Sequence, residues 1–385
     1  MKKIRIVIEK WAHGGFSLAH VEGRPIFITG GIPGEEVDIT IEKEEKKVSF
    51  AKVTDILKKD KIRTESDCNL FGECGGCSYR HLPYQEELNL KKKLLLELFP
   101  DVKGELEVLS GSPVKYRNNV QWQMDGGQIG FYGRFSHNLL PVETGCPNLP
   151  DILQPKLWQD KFQNRKDKKQ KRELRVSDPS GTDLAKNQKA KPAVLNSERE
   201  TTHVRVGEMV FSIPPTGFFQ INTGLILPWL NQIKEYIGTA DSCLELFCGV
   251  GLIGLGLGIP WKRYQGYEIN QQAIEFAKRN ADEMRRTRME FVTKDLYSQN
   301  LPKEAMTIGT WIVNPPRSGL NDRIIAQMES ARPKKIIYSS CNPQTLKRDI
   351  SLLMKKGYES ARMCLVDFFP RTHHYEVLVD LRLEL

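Results

Sequence analysis

Two groups of residues in this 385-residue chain have the types and spacing to do chemistry. The first centres on Cys341, in Ser339-Ser340-Cys341-Asn342-Pro343-Gln344-Thr345-Leu346-Lys347-Arg348-Asp349. Before it, Lys335-Ile336-Ile337-Tyr338 is apolar and β-prone after its lysine, and reads as a buried strand. After it, Leu346, Ile350, Leu353 and Met354 recur at helical spacing. Cys341 therefore stands where a strand ends and the chain turns toward a helix. Ligands of open α/β sheets bind outside the carboxyl ends of the strands, and a nearby helix N-terminus favours thiolate. The position suits a nucleophile, and a buried structural cysteine is the competing reading. The second group is Cys68, Cys74 and Cys77, spaced C-x5-C-x2-C among Gly72, Gly75 and Gly76, with Cys146 distant in Gly145-Cys146-Pro147. Four thiolates can hold zinc or a [4Fe–4S] cluster. Zinc ribbons usually offer two close C-x2-C pairs; one such pair exists here, so the spacing leans toward iron–sulfur.

The elements that must position these groups follow from periodicity. From His203 the chain reads as α/β. Phe218-Phe219-Gln220-Ile221-Asn222 precedes a helix from Leu225 to Ile237. Ser242-Cys243-Leu244-Glu245-Leu246 is a strand entering the turn Phe247-Cys248-Gly249-Val250-Gly251. A second strand ends in the acid Glu268, a third, Met289 to Val292, is followed by Asp295, and a fourth, Thr310 to Val313, ends in Asn314-Pro315-Pro316-Arg317. An acid at the end of the second strand can bind two ribose hydroxyls. The acids that close successive strands make the set point to S-adenosylmethionine rather than a nicotinamide dinucleotide. The alternation predicts a parallel sheet flanked by helices.

Upstream, Ile4–Glu9, Arg24–Ile28, Glu36–Ile41 and Ser49–Val53 read as strands, with Gly14-Gly15, Gly30-Gly31 and Pro33-Gly34 as turns. Short strands at this spacing predict a closed barrel of oligonucleotide-binding type over residues 1–57. Lys43, Lys46, Lys47 and Lys52 favour nucleic acid as its partner. A helix is expected between Tyr84 and Phe99, with Lys91, Lys92 and Lys93 on its solvated face. Tyr116–Trp122 and Gln128–Tyr132 read as a hairpin, from which Arg117, Arg134 and His137 could face RNA, with ordinary surface residues as the competing reading. Residues 160–200, rich in Lys and Arg, read as a mobile basic insertion or a solvated helix. The expected division is 1–57, 58–202 and 203–385.

Lys and Arg number 57 against 48 Asp and Glu, a net charge of +9 that suits a polyanion. No apolar run reaches roughly 18 residues, so no membrane helix is expected, and the N-terminus does not read as a signal peptide. The expected setting is cytoplasmic, where the eight cysteines are metal-binding or catalytic rather than disulfide-bonded.

Taken together, these residues resemble the RNA uracil-C5 methyltransferases that carry a TRAM barrel and an iron–sulfur cluster. The resemblance covers nearly the whole chain. It rests most on Ser340-Cys341-Asn342-Pro343-x-Thr345-Leu346-x-Arg348-Asp349, on Asn314-Pro315-Pro316-Arg317-x-Gly319-Leu320, on Phe218-Phe219-Gln220-Ile221-Asn222, and, for the barrel, on Gly14-Gly15-Phe16 and Gly31-Ile32-Pro33-Gly34-Glu35. It implies a class I S-adenosylmethionine-dependent methyltransferase domain of Rossmann-like α/β fold, with an N-terminal TRAM β-barrel and a central iron–sulfur α+β domain. It implies Cys341 as nucleophile and Glu376, in His374-Tyr375-Glu376-Val377, as general base. Cofactor contacts map to Gln220, Phe247, Glu268 and Asp295, beside Gly249, Gly251 and Asn314. The four cysteines match the cluster ligands of the members acting on 23S ribosomal RNA, the favoured partner, with transfer RNA as the alternative and a monomer expected. The sequence departs from the family at Asn314, where Asp is usual, and at Leu252, where Asn often stands.

This chemistry needs these groups. Uracil C5 is a poor nucleophile until a thiolate adds at C6. A base must then remove the C5 proton before the thiol can leave. The target uridine must be flipped out of its stack, and Phe218 or Phe219 is placed to stack on it, with Arg317 toward phosphate or base. Two readings compete. An amino-group methyltransferase would want an aromatic residue after Asn314-Pro315-Pro316, where Arg317 stands, and a non-catalytic RNA-binding protein would not need Cys341 with Glu376.

Overall fold

The computed structural model describes residues 3–101, 106–125, 127–157, 201–214 and 217–384, and the backbone of 170–177 and 191–195. The first six strands are β1 (Ile4–Val7), β2 (Lys10–Ala12), β3 (Phe16–Val21), β4 (Arg24–Thr29), β5 (Glu36–Glu44) and β6 (Ser49–Lys58). They form one sheet in the order β1-β5-β6-β4-β3-β2. Its two ends, β1 and β2, are nearly one extended segment. Between them the Ile8 amide donates to the Glu35 carbonyl (2.9 Å) and the Glu9 amide to the Leu18 carbonyl (3.0 Å). One segment thus bonds to both edges and closes the sheet into a barrel. Alternation turns Ile26, Ile28, Val37, Ile39 and Ala51 inward as its core. β2 and β3 are not among the strands expected from the sequence. The inward residues of β3 are Ser17 and Ala19, too small to give an apolar signal.

Helix α1 (Tyr84–Leu98) and strand β7 (Glu107–Leu109) follow. Leu88, Leu90, Leu94 and Leu95 are buried, as their spacing requires. Lys91 is not solvated as expected: it is fully buried, its Nζ donating to Glu87 Oε1 (2.7 Å) and Asp367 Oδ1 (2.8 Å). Two carboxylates offset the cost of burying the ammonium.

Strands β8 (Asn119–Asp125), β9 (Gln128–Tyr132), β10 (Leu139–Pro141), β11 (Gln170–Ser177) and β12 (Lys191–Leu195) make a second sheet, ordered β10-β9-β8-β11-β12. The basic stretch is therefore not a helix where it is described: two of its segments extend this sheet. Arg165, Lys166, Lys168 and Lys169 lie outside the described residues.

β13 (Thr202–Val206) and β14 (Met209–Ile213) form a hairpin ahead of α2 (Thr223–Ile237). The α/β alternation then runs β15 (Ser242–Leu246), α3 (Leu252–Gly256), β16 (Arg263–Glu268), α4 (Gln271–Glu283), β17 (Met289–Thr293), β18 (Thr310–Val313), α5 (Asp322–Ala331), β19 (Lys335–Ser340), α6 (Pro343–Met354), β20 (Tyr358–Val366) and β21 (Glu376–Leu383). The sheet order is β17-β16-β15-β18-β19-β21-β20-β7. β15 to β19 are mutually parallel, and β21 inserts antiparallel between β19 and β20. Order reverses between β15 and β18, the place where doubly wound sheets open a ligand crevice. Apolar side chains from alternate positions fill both faces. Trp229, Ile312 and Phe368 belong to one core, and Trp311, Leu346 and Val379 to the other. No helix among the described residues is long and apolar enough to cross a membrane.

Candidate active site

Cys341 follows β19 directly, and Asn342 caps α6, its side chain accepting from the Gln344 amide (3.1 Å). Glu376 is brought to it by sheet register. Ser340 pairs with Val377, so the next pair of the same antiparallel ladder is Cys341 with Glu376. Glu376 is buried, and its Oε1 accepts the Ser339 hydroxyl (2.8 Å). Ser339 is itself positioned by the Trp229 indole N–H (3.3 Å). Burial raises the Glu376 carboxyl to about 7, against the pull of the Ser339 hydroxyl. The half-buried Cys341 thiol is also raised, by burial first and then by Glu376, with Arg317 opposing.

The polar residues after Cys341 are structural clamps on the loop that carries Arg317. Asn342 Nδ2 and Thr345 Oγ1 donate to the Arg317 carbonyl (3.0 and 3.2 Å). Arg348 Nη2 donates to the Ser318 and Leu320 carbonyls (3.0 and 2.8 Å). Asp349 Oδ2 accepts the Leu320 amide (2.8 Å) and the Tyr338 hydroxyl (2.7 Å). Gly319 has φ +73°, and a Cβ there would lie 2.5 Å from Asp349 Oδ2. Helix α6 and residues 317–320 of the loop are thereby tied together.

Cys341 opens on a cavity of about 240 Å³ shared with Arg317, Asn342, His373, His374 and Tyr375. His13 and Gly14, from the barrel's β2–β3 turn, also line it. Burial lowers His373 to about 3 and His374 to about 4, so both rings are neutral near pH 7. His374 Nδ1 lies 3.5 Å from Arg317 Nη2, and His373 Nδ1 3.2 Å from Ser78 Oγ. The loop holding the histidines is tied to α1: the Arg371 amide donates to Glu87 Oε1 (2.7 Å), and the Ser78 amide to the Arg371 carbonyl (2.8 Å). His13, Ser78, Ser339 and Lys91 were not singled out by chemistry in the sequence. Only Ser339, two residues before Cys341, lay within a motif that could have flagged it.

Of the expected cofactor residues, Phe247, Gly249, Gly251, Glu268 and Asn314 stand at the β15, β16 and β18 ends, and Asp295 follows β17. Phe247 adopts φ +63° beyond β15, and Gly249 (φ +54°) and Gly251 (φ +80°) shape the turn into α3. The Gly249 amide donates to Glu268 Oε2 (3.3 Å), and a Cβ on Gly249 would meet nothing within 4 Å. Asp295 is lowered chiefly by the Ser298 hydroxyl (2.5 Å), and its Oδ1 accepts the Tyr297 amide (3.0 Å). The Tyr297 and Phe247 rings are 5.5 Å apart. The Asn314 amide donates to the Leu246 carbonyl (3.4 Å). Gln220 is buried, its carbonyl accepting from Asn118 Nδ2 (2.8 Å). Ile269, beside Glu268, is 60% exposed, a signal absent from the motif reading. The aromatic pair divides: Phe219 is buried in the core beside Phe211 and is not available to stack on a base, whereas Phe218 is 78% exposed.

Cys68, Cys74, Cys77 and Cys146, all free thiols, line one cavity of about 340 Å³ with Arg80, Arg117 and Asn148. Cys77 Sγ accepts from Arg80 Nε (3.3 Å) and Asn148 Nδ2 (3.4 Å), and Cys74 Sγ from the Gly76 amide (3.4 Å). Burial raises the Cys68 and Cys74 thiols, and Cys146 to about 11. Among the described residues, no group of three or more His, Cys, Asp or Glu is arranged to hold a metal ion. Arg117 faces this cavity, which corrects its reading as a surface contact for RNA.

Comparison with known proteins gives the same outline. Residues 153–383 match the family model described as tRNA (uracil-5-)-methyltransferase, and residues 2–54 match the TRAM domain. An uncharacterized RNA methyltransferase of Leptospira interrogans (serovar copenhageni) is 37% identical, covering 98% of this chain and 94% of its own. One from Aquifex aeolicus is 28% identical over 100% of this chain and 99% of its own. The crystal structure of Pyrococcus abyssi tRNA (uracil-54, C5)-methyltransferase in complex with S-adenosyl-L-homocysteine superposes with a TM-score of 0.75. It is 23% identical, covering 98% of this chain and 99% of that one, and shows the shared fold.

Proposed function

Because the chain belongs to the tRNA (uracil-5-)-methyltransferase family, we propose that it methylates C5 of one uridine in RNA through a covalent adduct on Cys341. The observation that carries this reading is the half-buried Cys341 thiol, which opens on the cavity, standing beside the buried Glu376 carboxyl that sheet register and the Ser339 hydroxyl hold in place. Cys341 adds to C6 of the flipped uracil and makes C5 nucleophilic. S-adenosylmethionine, when bound, supplies the electrophilic methyl that C5 takes. Glu376 removes the remaining C5 proton, the C5–C6 double bond re-forms, and Cys341 leaves as thiolate. A base titrating near 7 is close to the best compromise between availability and strength. Arg317 stabilises the thiolate and meets the anionic substrate. The neutral His373 and His374 hydrogen-bond uncharged base edges.

Glu268 would hold the ribose hydroxyls of the cofactor, with Asp295, Phe247, Ile269 and Asn314 around its base and Gln220 behind. The open space at Gly249 suits this set. Phe218 is the aromatic left to stack on the RNA. We divide the chain at residues 57 and 202, with a TRAM barrel, a central cluster domain and a catalytic domain.

For the four cysteines we propose a [4Fe–4S] cluster. A cavity with thiols spread around its wall and N–H donors on two sulfurs suits a multi-atom cluster better than a single zinc ion. The cluster would pin residues 68–77 to 146, and its chemistry here is structural. The favoured substrate is 23S ribosomal RNA, on the joint presence of the barrel and these cysteines. Transfer RNA is the second reading, on the description of the matched family.

The test is methyl transfer from labelled S-adenosylmethionine to RNA of a deletion strain, with 5-methyluridine mapped in both RNA classes. Cys341→Ala should abolish transfer and adduct. Glu376→Gln should accumulate a methyl-labelled protein–RNA adduct that survives denaturing electrophoresis. Normal turnover by Cys341→Ala would refute the mechanism.

A further inference from the structure

A hydrogen-bonded chain of three buried side chains ends on Glu376. Ser339 on β19 pairs with Leu378 on β21, two residues along from Glu376. Alternation therefore puts Ile337, Ser339, Leu378 and Glu376 on one face of the sheet. That face belongs to the apolar core of Trp229, Ile312, Ile337, Phe368 and Leu378. A hydroxyl in such a core is costly unless it is bonded. Ser339 is bonded on both sides: Trp229 Nε1 donates to its Oγ from α2 (3.3 Å), and it donates to Glu376 Oε1 (2.8 Å). Trp229 is fully buried, its ring set edge-on to Phe368 at 5.6 Å. Glu376 Oε2 has no hydrogen-bond partner among the described residues.

The chemistry of these groups fixes the direction of the chain. An indole N–H only donates, so Ser339 Oγ accepts from Trp229 and has one proton to give. That proton points at Glu376 Oε1. We propose that Trp229 and Ser339 are positioning residues for the base, anchoring Oε1 as an acceptor in both protonation states and leaving Oε2 as the oxygen that takes the C5 proton. The proposal rests on the reading of Glu376 as the base. When Oε2 takes the proton, the C5–H electron pair forms the C5–C6 double bond, and the C6–S bond breaks with its pair on Cys341 Sγ. A donor to the carboxylate also favours its ionised form, against the burial that favours the neutral one. Of the groups around Glu376, Cys341 at the end of β19 titrates and couples to it. Trp229 from α2, Ser339 from β19 and Val366, its partner on β20, carry no charge. In the adduct the Cys341 sulfur is bonded to carbon and cannot titrate, so the resolution step reads Glu376.

The test follows decay of the methyl-labelled Cys341–RNA adduct by rapid quench, between about pH 6 and 9, in the full-length protein. Wild-type decay should rise through a midpoint of about 7. Ser339→Ala should move this acid limb up by about one pH unit, the size of a lost hydrogen bond to a charged group. Near pH 7 its decay should then be slower by about fivefold, recovering as pH rises. Trp229→Phe keeps the ring packing and loses the N–H. It should move the limb in the same direction, and it carries the test alone if Ser339→Ala does not fold. In a Glu376→Gln background, Ser339→Ala should add nothing to the stalled adduct, because its effect passes through the carboxyl; a further slowing there would overturn the proposal. So would a limb that stays at its wild-type pH in both variants with any slowing uniform across pH, since packing alone would then account for the chain. If Glu376→Gln resolves the adduct normally, the reading of the base fails. If Glu376→Gln stalls while both variants keep the wild-type limb, only the positioning role fails.

Discussion

Replacing Glu376 by Gln should stabilise the protein in a pH-dependent way. Burial raises this carboxyl from an ordinary 4.5 to about 7. The native state therefore holds the proton more tightly than the unfolded chain does. The resulting stability is fully present below about pH 4.5 and is lost as pH rises through 7. At about 1.4 kcal/mol per pH unit, the loss amounts to about 3 kcal/mol. Gln is isosteric, cannot ionise, and can still accept the Ser339 hydroxyl. Near pH 4.5 the two proteins should melt alike. Above pH 7.5 the variant should be more stable by about 3 kcal/mol, which for a chain of this size is several degrees in melting temperature. Paired thermal scans between pH 4.5 and 8.5 measure the difference, in which the titration of all other groups cancels. A stability difference that does not change across that range would refute the assignment of a raised carboxyl. The same titration should place the acid limb of wild-type methyl transfer near pH 7.

Protein purified without oxygen should be brown and carry about four irons and four sulfides per chain, as a cluster held by four thiolates does; stoichiometric zinc without sulfide in the metal analysis would contradict this. Cys146→Ser should lose the iron signal without moving S-adenosylmethionine affinity, read by absorbance and calorimetry. Lys91→Met should destabilise by about 3–5 kcal/mol, because Glu87 and Asp367 would be left buried without their shared cation; denaturant melts test it. Gly319→Ala should lower methyl transfer with the fold kept, since a Cβ 2.5 Å from Asp349 Oδ2 at φ +73° must shift the Arg317 loop; kinetics with circular dichroism separate the two effects.

The sequence by itself determined what is local. The strand–Cys341–helix unit, the acid-ending strands of the crevice and the glycine turn between Phe247 and Gly251 all sit within a few consecutive residues, where period and turn chemistry act directly. The four cysteines could be grouped by residue type despite their separation in sequence, and the structure lines one cavity with all four. What only the tertiary structure decided is non-local. Glu376 faces Cys341 because β21 inserts antiparallel beside β19, and that register lies in a ladder between distant segments. Lys91 reads as one of three solvated lysines until Asp367, 276 residues away, meets it across the core. Phe218 and Phe219 are equivalent as residue types, and packing against Phe211 buries only the second. The same holds for the β2–β3 turn, whose His13 and Gly14 reach the catalytic cavity only because the closed barrel is docked against Ser78 and His373. Residue type and spacing fix which chemistry is possible; the packing of distant segments decides which side chains are dry, charged and in reach.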